Sequence, residues 1–206
     1  MYDAAQSARA IAAACVTVIT EELLGNGLYL QTDTFSRACE NQCVAHRQRL
    51  TAIDNSFLAL EAQATHMHVG ACAVFEGPAP AYDDLIDCID ARLHLVPRYR
   101  QRLALVPFGQ GRPVWVDDPH FRLPFHVRHT ALPRPGGDAQ LRRLAARIFS
   151  QALDRGRPLW EMWLIEGLAG GGFALVSKAH HALVDGIAGV DIASVIFDTR
   201  PDPQPV

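Results

Sequence analysis

The sequence predicts an α/β fold, a mixed β-sheet with helices packed on it. Segments with helical apolar spacing and segments with strand-like alternation interleave along the chain. At 206 residues it can bury a core without help from disulfides or metals.

The elements follow in order. Residues 4–24 are Ala-rich and read as a helix, which Gly25-Asn26-Gly27 breaks; residues 35–49 are polar and also read as helical. Neither carries a strong apolar stripe, so residues 1–49 read as a loosely attached N-terminal extension. Residues 50–60 carry Leu50, Ile53, Phe57, Leu58 and Leu60, with Asp54 placed near a helix start. Residues 66–75 alternate as a strand, with Met67, Val69, Ala71, Ala73 and Phe75 on one face, and Gly77-Pro78 ends it. Residues 82–95 form an amphipathic helix through Tyr82, Leu85, Ile86, Ile89 and Leu93, closed by Pro97.

Residues 98–106, 113–116 and 125–132 are candidate strands. Gly136-Gly137-Asp138 opens a second helix over 139–153, striped by Leu141, Leu144, Ala145, Ile148 and Leu153. Residues 160–168 and 173–180 read as two strands joined through Gly170-Gly171-Gly172 as a hairpin. A last helix over 187–197 leads into Pro201, Pro203 and Pro205, the start of an interdomain linker at 199–206.

Composition narrows the function classes. A net charge of -3, without a basic cluster, excludes a nucleic-acid footprint. The five cysteines (Cys15, Cys39, Cys43, Cys72, Cys88) are odd in number and form no paired framework, which predicts free thiols in a reducing, cytoplasmic setting. Cys39, Cys43 and His46 match no zinc spacing, and no metal is expected. No apolar run reaches the roughly 18 residues of a membrane span, so any membrane contact would be peripheral, at a bilayer or lipid-droplet surface.

The motif that carries chemistry is Lys178-Ala179-His180-His181-Ala182-Leu183-Val184-Asp185-Gly186, at the end of the apolar strand. Successive strand residues face opposite sides, so one histidine projects into a cleft and the other into packing or a structural hydrogen bond. A neutral imidazole in a cleft can take a proton from a hydroxyl at pH 7, since its ordinary pKa is about 6.5. Asp185 can pair with an Arg to fix the turn, and Gly186 allows a tight reversal. Metal binding by His-His plus Asp lacks the helical spacing of His-Glu-x-x-His. A serine nucleophile lacks its Gly-x-Ser-x-Gly elbow.

This run resembles the His-His-x-x-x-Asp-Gly motif of the CoA-dependent acyltransferase superfamily, which includes chloramphenicol acetyltransferases and peptide-synthetase condensation domains. More narrowly, the sequence resembles the bacterial wax ester synthase/diacylglycerol acyltransferase family. Three stretches carry that match: Leu50-Thr51-Ala52-Ile53-Asp54-Asn55-Ser56-Phe57-Leu58, Met67-His68-Val69-Gly70 with Phe75-Glu76-Gly77, and Arg157-Pro158-Leu159-Trp160-Glu161. The resemblance implies one half of a chloramphenicol-acetyltransferase-like two-domain fold. It implies that His181 is the general base, with His180 as motif support, Asp185 structural, Gly186 a turn, and Pro158, Leu159 and Trp160 a scaffold. Packing alone also accounts for Trp160 and Trp163.

The implied reaction transfers a long-chain acyl group from acyl-CoA, a co-substrate, to diacylglycerol or a fatty alcohol. No cofactor and no covalent acyl-enzyme are implied. Substrate-binding residues and the oxyanion donor are not identifiable from sequence. Residues 50–198 form the expected N-terminal acyltransferase domain, residues 1–49 have no family counterpart, and the C-terminal domain is expected to be missing. Alternative expectations are a non-catalytic remnant, a half-enzyme needing a separately encoded C-terminal half, self-association through an exposed apolar face, or a superfamily member with a different acceptor.

Overall fold

The computed structural model of the chain describes residues 17–19, 48–61 and 66–183. Its frame is a five-stranded mixed sheet in the order β1 (Thr17–Ile19), β3 (His68–Phe75), β8 (Phe173–His180), β7 (Trp160–Glu166), β6 (Val127–Ala131). Every neighbouring pair is antiparallel except β6 and β7. A smaller antiparallel sheet runs β2 (Gln48–Arg49), β5 (Val114–Asp117), β4 (Gln101–Ala104).

Alternation along the strands sorts the core into two layers. On one face, Trp160, Met162 and Leu164 of β7, Phe173, Leu175 and Ala179 of β8 and Phe75 of β3 pack with Leu85 and Ile89 of helix α2 (Tyr82–Arg92). On the other, Ile165, Ala174, Val176 and Cys72 pack with Leu141, Ala145 and Ile148 of helix α4 (Asp138–Phe149). Burying a Leu or Ile side chain contributes about 1.5–3 kcal/mol, so the two apolar stripes hold both helices to the sheet. The expected hairpin is present: β7 and β8 pair antiparallel from Trp160↔Ala179 to Ile165↔Ala174. Gly170 and Gly171 in its turn take φ +89° and +82°, which only glycine adopts freely.

Several boundaries differ from expectation. Thr17–Ile19, expected in a helix, is an edge strand on β3, as three consecutive β-branched residues favour. Gln48–Arg49, expected in a polar helix, pairs with β5. The segment preceding Leu50 thus contributes a strand to each sheet. The strand expected from residue 98 begins at Gln101, because Pro97 opens a 3-10 turn over Pro97–Arg100. The strand expected from residue 125 begins at Val127, after the short helix α3 (Leu123–His126) with a Pro in its first turn. Helix α4 stops at Phe149 rather than reaching Leu153. The expected helices over 4–16 and 187–197, the Cys39-Cys43-His46 group and the linker at 199–206 lie outside the described residues. Among the described residues no helix is long and apolar enough to cross a membrane.

Candidate active site

Strand β8 delivers the histidine pair. Its eight residues are all buried, and alternation sends Lys178 and His180 to the α4 side. The strand ends at His180. Residues 181–183 turn, closed by the Leu183 N–H donating to the His180 carbonyl (2.8 Å).

The two histidines part at that turn. His180 is 1% exposed. The Ala182 N–H donates to its Nδ1 (3.0 Å), so the neutral ring carries its proton on Nε2, which lies 3.6 Å from Glu61 Oε2. Burial pushes its pKa down, and the Glu61 charge offsets this only in part. His181 is half-buried. Its backbone N–H donates to the Met67 carbonyl (2.7 Å), and its ring stacks on Phe57 with centroids 4.0 Å apart and planes at 29°.

Helix α1 (Ala52–Leu60) brings Phe57 there. Thr51 caps it: the Asp54 N–H donates to Thr51 Oγ1 (3.1 Å), and that hydroxyl donates to Asp54 Oδ2 (2.6 Å). The opening segment singled out in the sequence is therefore a helix start whose next turn supports His181. At the helix's far end, Glu61 Oε2 accepts from Arg155 Nε (3.2 Å) and Nη2 (2.5 Å), and Nη2 also donates to the Leu58 carbonyl (3.0 Å). Burial alone would raise the Glu61 carboxyl. The Arg155 hydrogen bonds, with the charges of His180, Arg155 and His68, hold it below the usual carboxylate range.

The Pro158-Leu159-Trp160 stretch braces the same strand end. The Leu159 carbonyl accepts from the His180 N–H (2.9 Å). Leu159 and Trp160 are buried, and Trp160 Nε1–H donates to the Tyr99 carbonyl (2.8 Å). His126 donates from Nδ1 to the Trp160 carbonyl (2.9 Å) and stacks on its indole. The stretch thus touches the histidine strand through the Leu159 carbonyl. Trp163 is half-buried over the α4 face, its Nε1 donating to Glu161 (3.2 Å).

Lys178, two residues before His180, reaches the C-terminal end of α4. Its ammonium donates to the Ile148 (2.8 Å) and Gln151 (2.7 Å) carbonyls, adding to the Gln151 N–H that the Ile148 carbonyl already accepts (3.3 Å). Glu161 Oε2 lies 3.9 Å away. Burial lowers the Lys178 pKa while Glu161 pulls it back up.

Two cavities border this region. One of about 600 Å³ lies between β3 and α4, lined by His66, His68, Cys72, Leu141 and Phe149 among others. The other, about 760 Å³, lies between α1 and β4, lined by Leu58, Arg102, Leu103 and Arg155 among others. His181 lines neither. Asp185 and Gly186 lie outside the described residues. Sequence reasoning missed Phe57, Glu61, Arg155 and Lys178 as neighbours of the pair. It read His68 only as part of a strand, although the β3–β8 register sets His68 directly across from His180.

Comparisons with known proteins agree with this picture. The profile of the "Wax ester synthase/diacylglycerol acyltransferase catalytic domain" family matches residues 50–206. The probable diacylglycerol O-acyltransferase tgs3 of Mycobacterium tuberculosis is 46% identical over 158 residues, covering 75% of this chain and 58% of that protein. The probable diacylglycerol O-acyltransferase tgs1 of the same organism is 46% identical over 151 residues, 72% of this chain and 33% of its own length. The chain thus spans about a third to somewhat over half of these relatives. Among solved structures, the wax ester synthase/diacylglycerol acyltransferase of Marinobacter aquaeolei VT8 superposes with TM-score 0.56 at 39% identity, covering 68% of this chain and 36% of that one. The first condensation domain of the calcium-dependent antibiotic synthetase shares the fold, with TM-score 0.57 at 21% identity, over 69% of this chain and 34% of its own.

Proposed function

The chain belongs to the wax ester synthase/diacylglycerol acyltransferase family, and on that premise we propose that it supplies the histidine-bearing half of an O-acyltransferase. The donor is a long-chain acyl-CoA and the acceptor a lipid hydroxyl, diacylglycerol or a fatty alcohol. His181 takes the hydroxyl proton as that oxygen attacks the thioester carbonyl, and the CoA thiolate leaves and is protonated. The acyl group passes directly to the acceptor, and no resident cofactor takes part.

The observation that carries this reading is the split at the end of β8. His180 is locked into the interior by the Ala182 N–H, while His181 leaves the strand half-buried with its ring stacked on Phe57. A half-buried ring can be presented to an acceptor; a sealed one cannot. Leu105 and Phe108, between β4 and β5, are 80% and 95% exposed, which supports peripheral contact with a lipid surface where such acceptors reside.

A second reading, a half-enzyme that acts only with a complementary C-terminal half or through self-association, is favoured by His181 lining neither of the two cavities beside the histidine strand. Both readings are tested by thiol release from long-chain acyl-CoA in the presence of diacylglycerol or a fatty alcohol. The 206-residue chain is assayed alone and with the C-terminal part of a family member supplied separately. Activity appearing only in the second arm selects the half-enzyme. Release that is equal in wild type and His181→Ala in both arms removes His181 as the base.

A further inference from the structure

At the mouth of the cavity between β3 and α4 lies a group of donors that the acyl-transfer reading does not use. His66 and His68 are two apart in an extended segment, so their rings share a side and stack with centroids 5.1 Å apart. Glu61, at the end of α1, sets Oε1 3.6 Å from His66 Nδ1 and 3.5 Å from His68 Nε2. One donor atom from each of the three residues lies within 4.8 Å of the other two.

The protons do not fit this arrangement. His66 Nε2 lies 3.0 Å from the Ser150 carbonyl, an acceptor only, so the proton sits on Nε2 and the neutral ring turns the Nδ1 lone pair towards Glu61. A lone pair aimed at a carboxylate oxygen is repulsive unless a second proton on the ring or a metal cation lies between them. Glu61 Oε1, His66 Nδ1 and both His68 ring nitrogens are buried without a hydrogen-bond partner among the described residues. The His68 side chain is 5% exposed. A neutral imidazole carries one proton on its two nitrogens, so this ring too has a lone pair to offer. The other carboxylate oxygen, Oε2, is taken by Arg155 and faces the Nε2 proton of His180, which leaves Oε1 free for the cavity side.

We propose that Glu61 Oε1, His66 Nδ1 and His68 Nε2 form a binding site for a divalent transition-metal cation of the zinc class. Zinc binds imidazole nitrogen and carboxylate oxygen at about 2.0–2.2 Å, so two ligands on one tetrahedral ion stand about 3.4 Å apart. The two Glu61–imidazole separations are of that size, and they are too long for hydrogen bonds. The third edge, between the imidazoles, is within 4.8 Å. The His66 Nε2–H···O=C Ser150 hydrogen bond is the outer contact that fixes the tautomer of a metal-bound histidine. The cavity, about 600 Å³ and lined by both histidines, supplies the entry path and the fourth position. Arg155 and Lys178 are nearby cations that weaken the site, but each is held by other partners, Arg155 on Oε2 and Lys178 on two carbonyls.

The test is a titration of the chelator-stripped 206-residue chain with Co²⁺, read by its visible d–d absorption, followed by displacement with Zn²⁺. One equivalent is expected to bind saturably without a thiolate-to-cobalt charge-transfer band. The affinity is expected to fall at least tenfold in His66→Ala. His66→Phe keeps the stack on His68 while removing the lone pair, and it is expected to lose binding equally with an unchanged circular-dichroism spectrum. No saturable binding would overturn the site and leave an ordinary protonated ion pair. So would binding that both His66 variants leave unchanged, or a charge-transfer band pointing to Cys39 and Cys43.

Discussion

His180 and His181 are adjacent in the chain and opposite in surroundings. His180 sits on a central strand, buried, its two ring nitrogens turned to a backbone amide and a carboxylate. Behind it lie Lys178 on the carbonyls of α4 and the Leu159 carbonyl on its own N–H. Among the described residues His181, one residue past the strand, has a backbone tie to Met67 and a ring neighbour in Phe57. Leaving a strand by one residue moves an imidazole from a fully buried site to a half-buried one. Fixed burial suits a structural group, and partial burial suits a proton acceptor whose partner must come and go.

Substitutions can break this comparison. The largest expected effect is on acyl transfer: His181→Ala lowers thiol release roughly a hundred- to ten-thousand-fold and leaves the denaturant midpoint nearly unchanged. An equal loss of stability and activity in that variant would erase the contrast. On the other side of the turn, Lys178→Met removes a buried ammonium from the Ile148 and Gln151 carbonyls and from beside the Glu161 carboxylate. The expected cost is about 3 kcal/mol, seen as a lower urea midpoint with an unchanged slope.

The sequence made half of this contrast visible. The hairpin of β7 and β8 and the helices α2 and α4 were legible because period-2 and period-3.6 apolar spacing is a local property. The His-His pair was legible for the same reason, and alternation alone required its two rings to diverge. What surrounds the pair was not. Glu61 and Arg155 meet His180 from segments more than twenty residues away, and His68 reaches it through the β3–β8 register. Such contacts belong to topology, which no single stretch encodes. The strand Thr17–Ile19 was missed because its identity comes from pairing with β3, against the Ala-rich composition around it.

Acid sharpens the difference between buried and half-buried imidazoles. His68, His126 and His180 are all held below the ordinary value of 6.5, chiefly by burial. Between pH 6.5 and the folded pKa values the unfolded chain binds protons that these rings refuse. Their stabilising contribution is therefore complete above about pH 6.5 and is lost as pH falls towards about 4, the value for His68. In chelator, the thermal midpoint is expected to drop over that range, with His68 accounting for about 2 kcal/mol after allowance for solvent screening. Replacing His126, which is remote from the histidine pair, by Gln should flatten part of the slope. A midpoint independent of pH from 7 to 4 would contradict the burial argument.

The smallest effect concerns the ring contact between Phe57 and His181. An aromatic stack contributes about 0.5–1.5 kcal/mol beyond its area, so Phe57→Leu, which keeps apolar cover on the ring, should cost at most about tenfold in acyl transfer. The loss should fall in kcat rather than KM, because Phe57 touches the base and not a cavity wall. Phe57→Tyr preserves the stack and should restore the rate. A fall in KM-related binding with kcat intact would instead place Phe57 against the acceptor. His181 would then owe its orientation to the Met67 carbonyl and the turn alone.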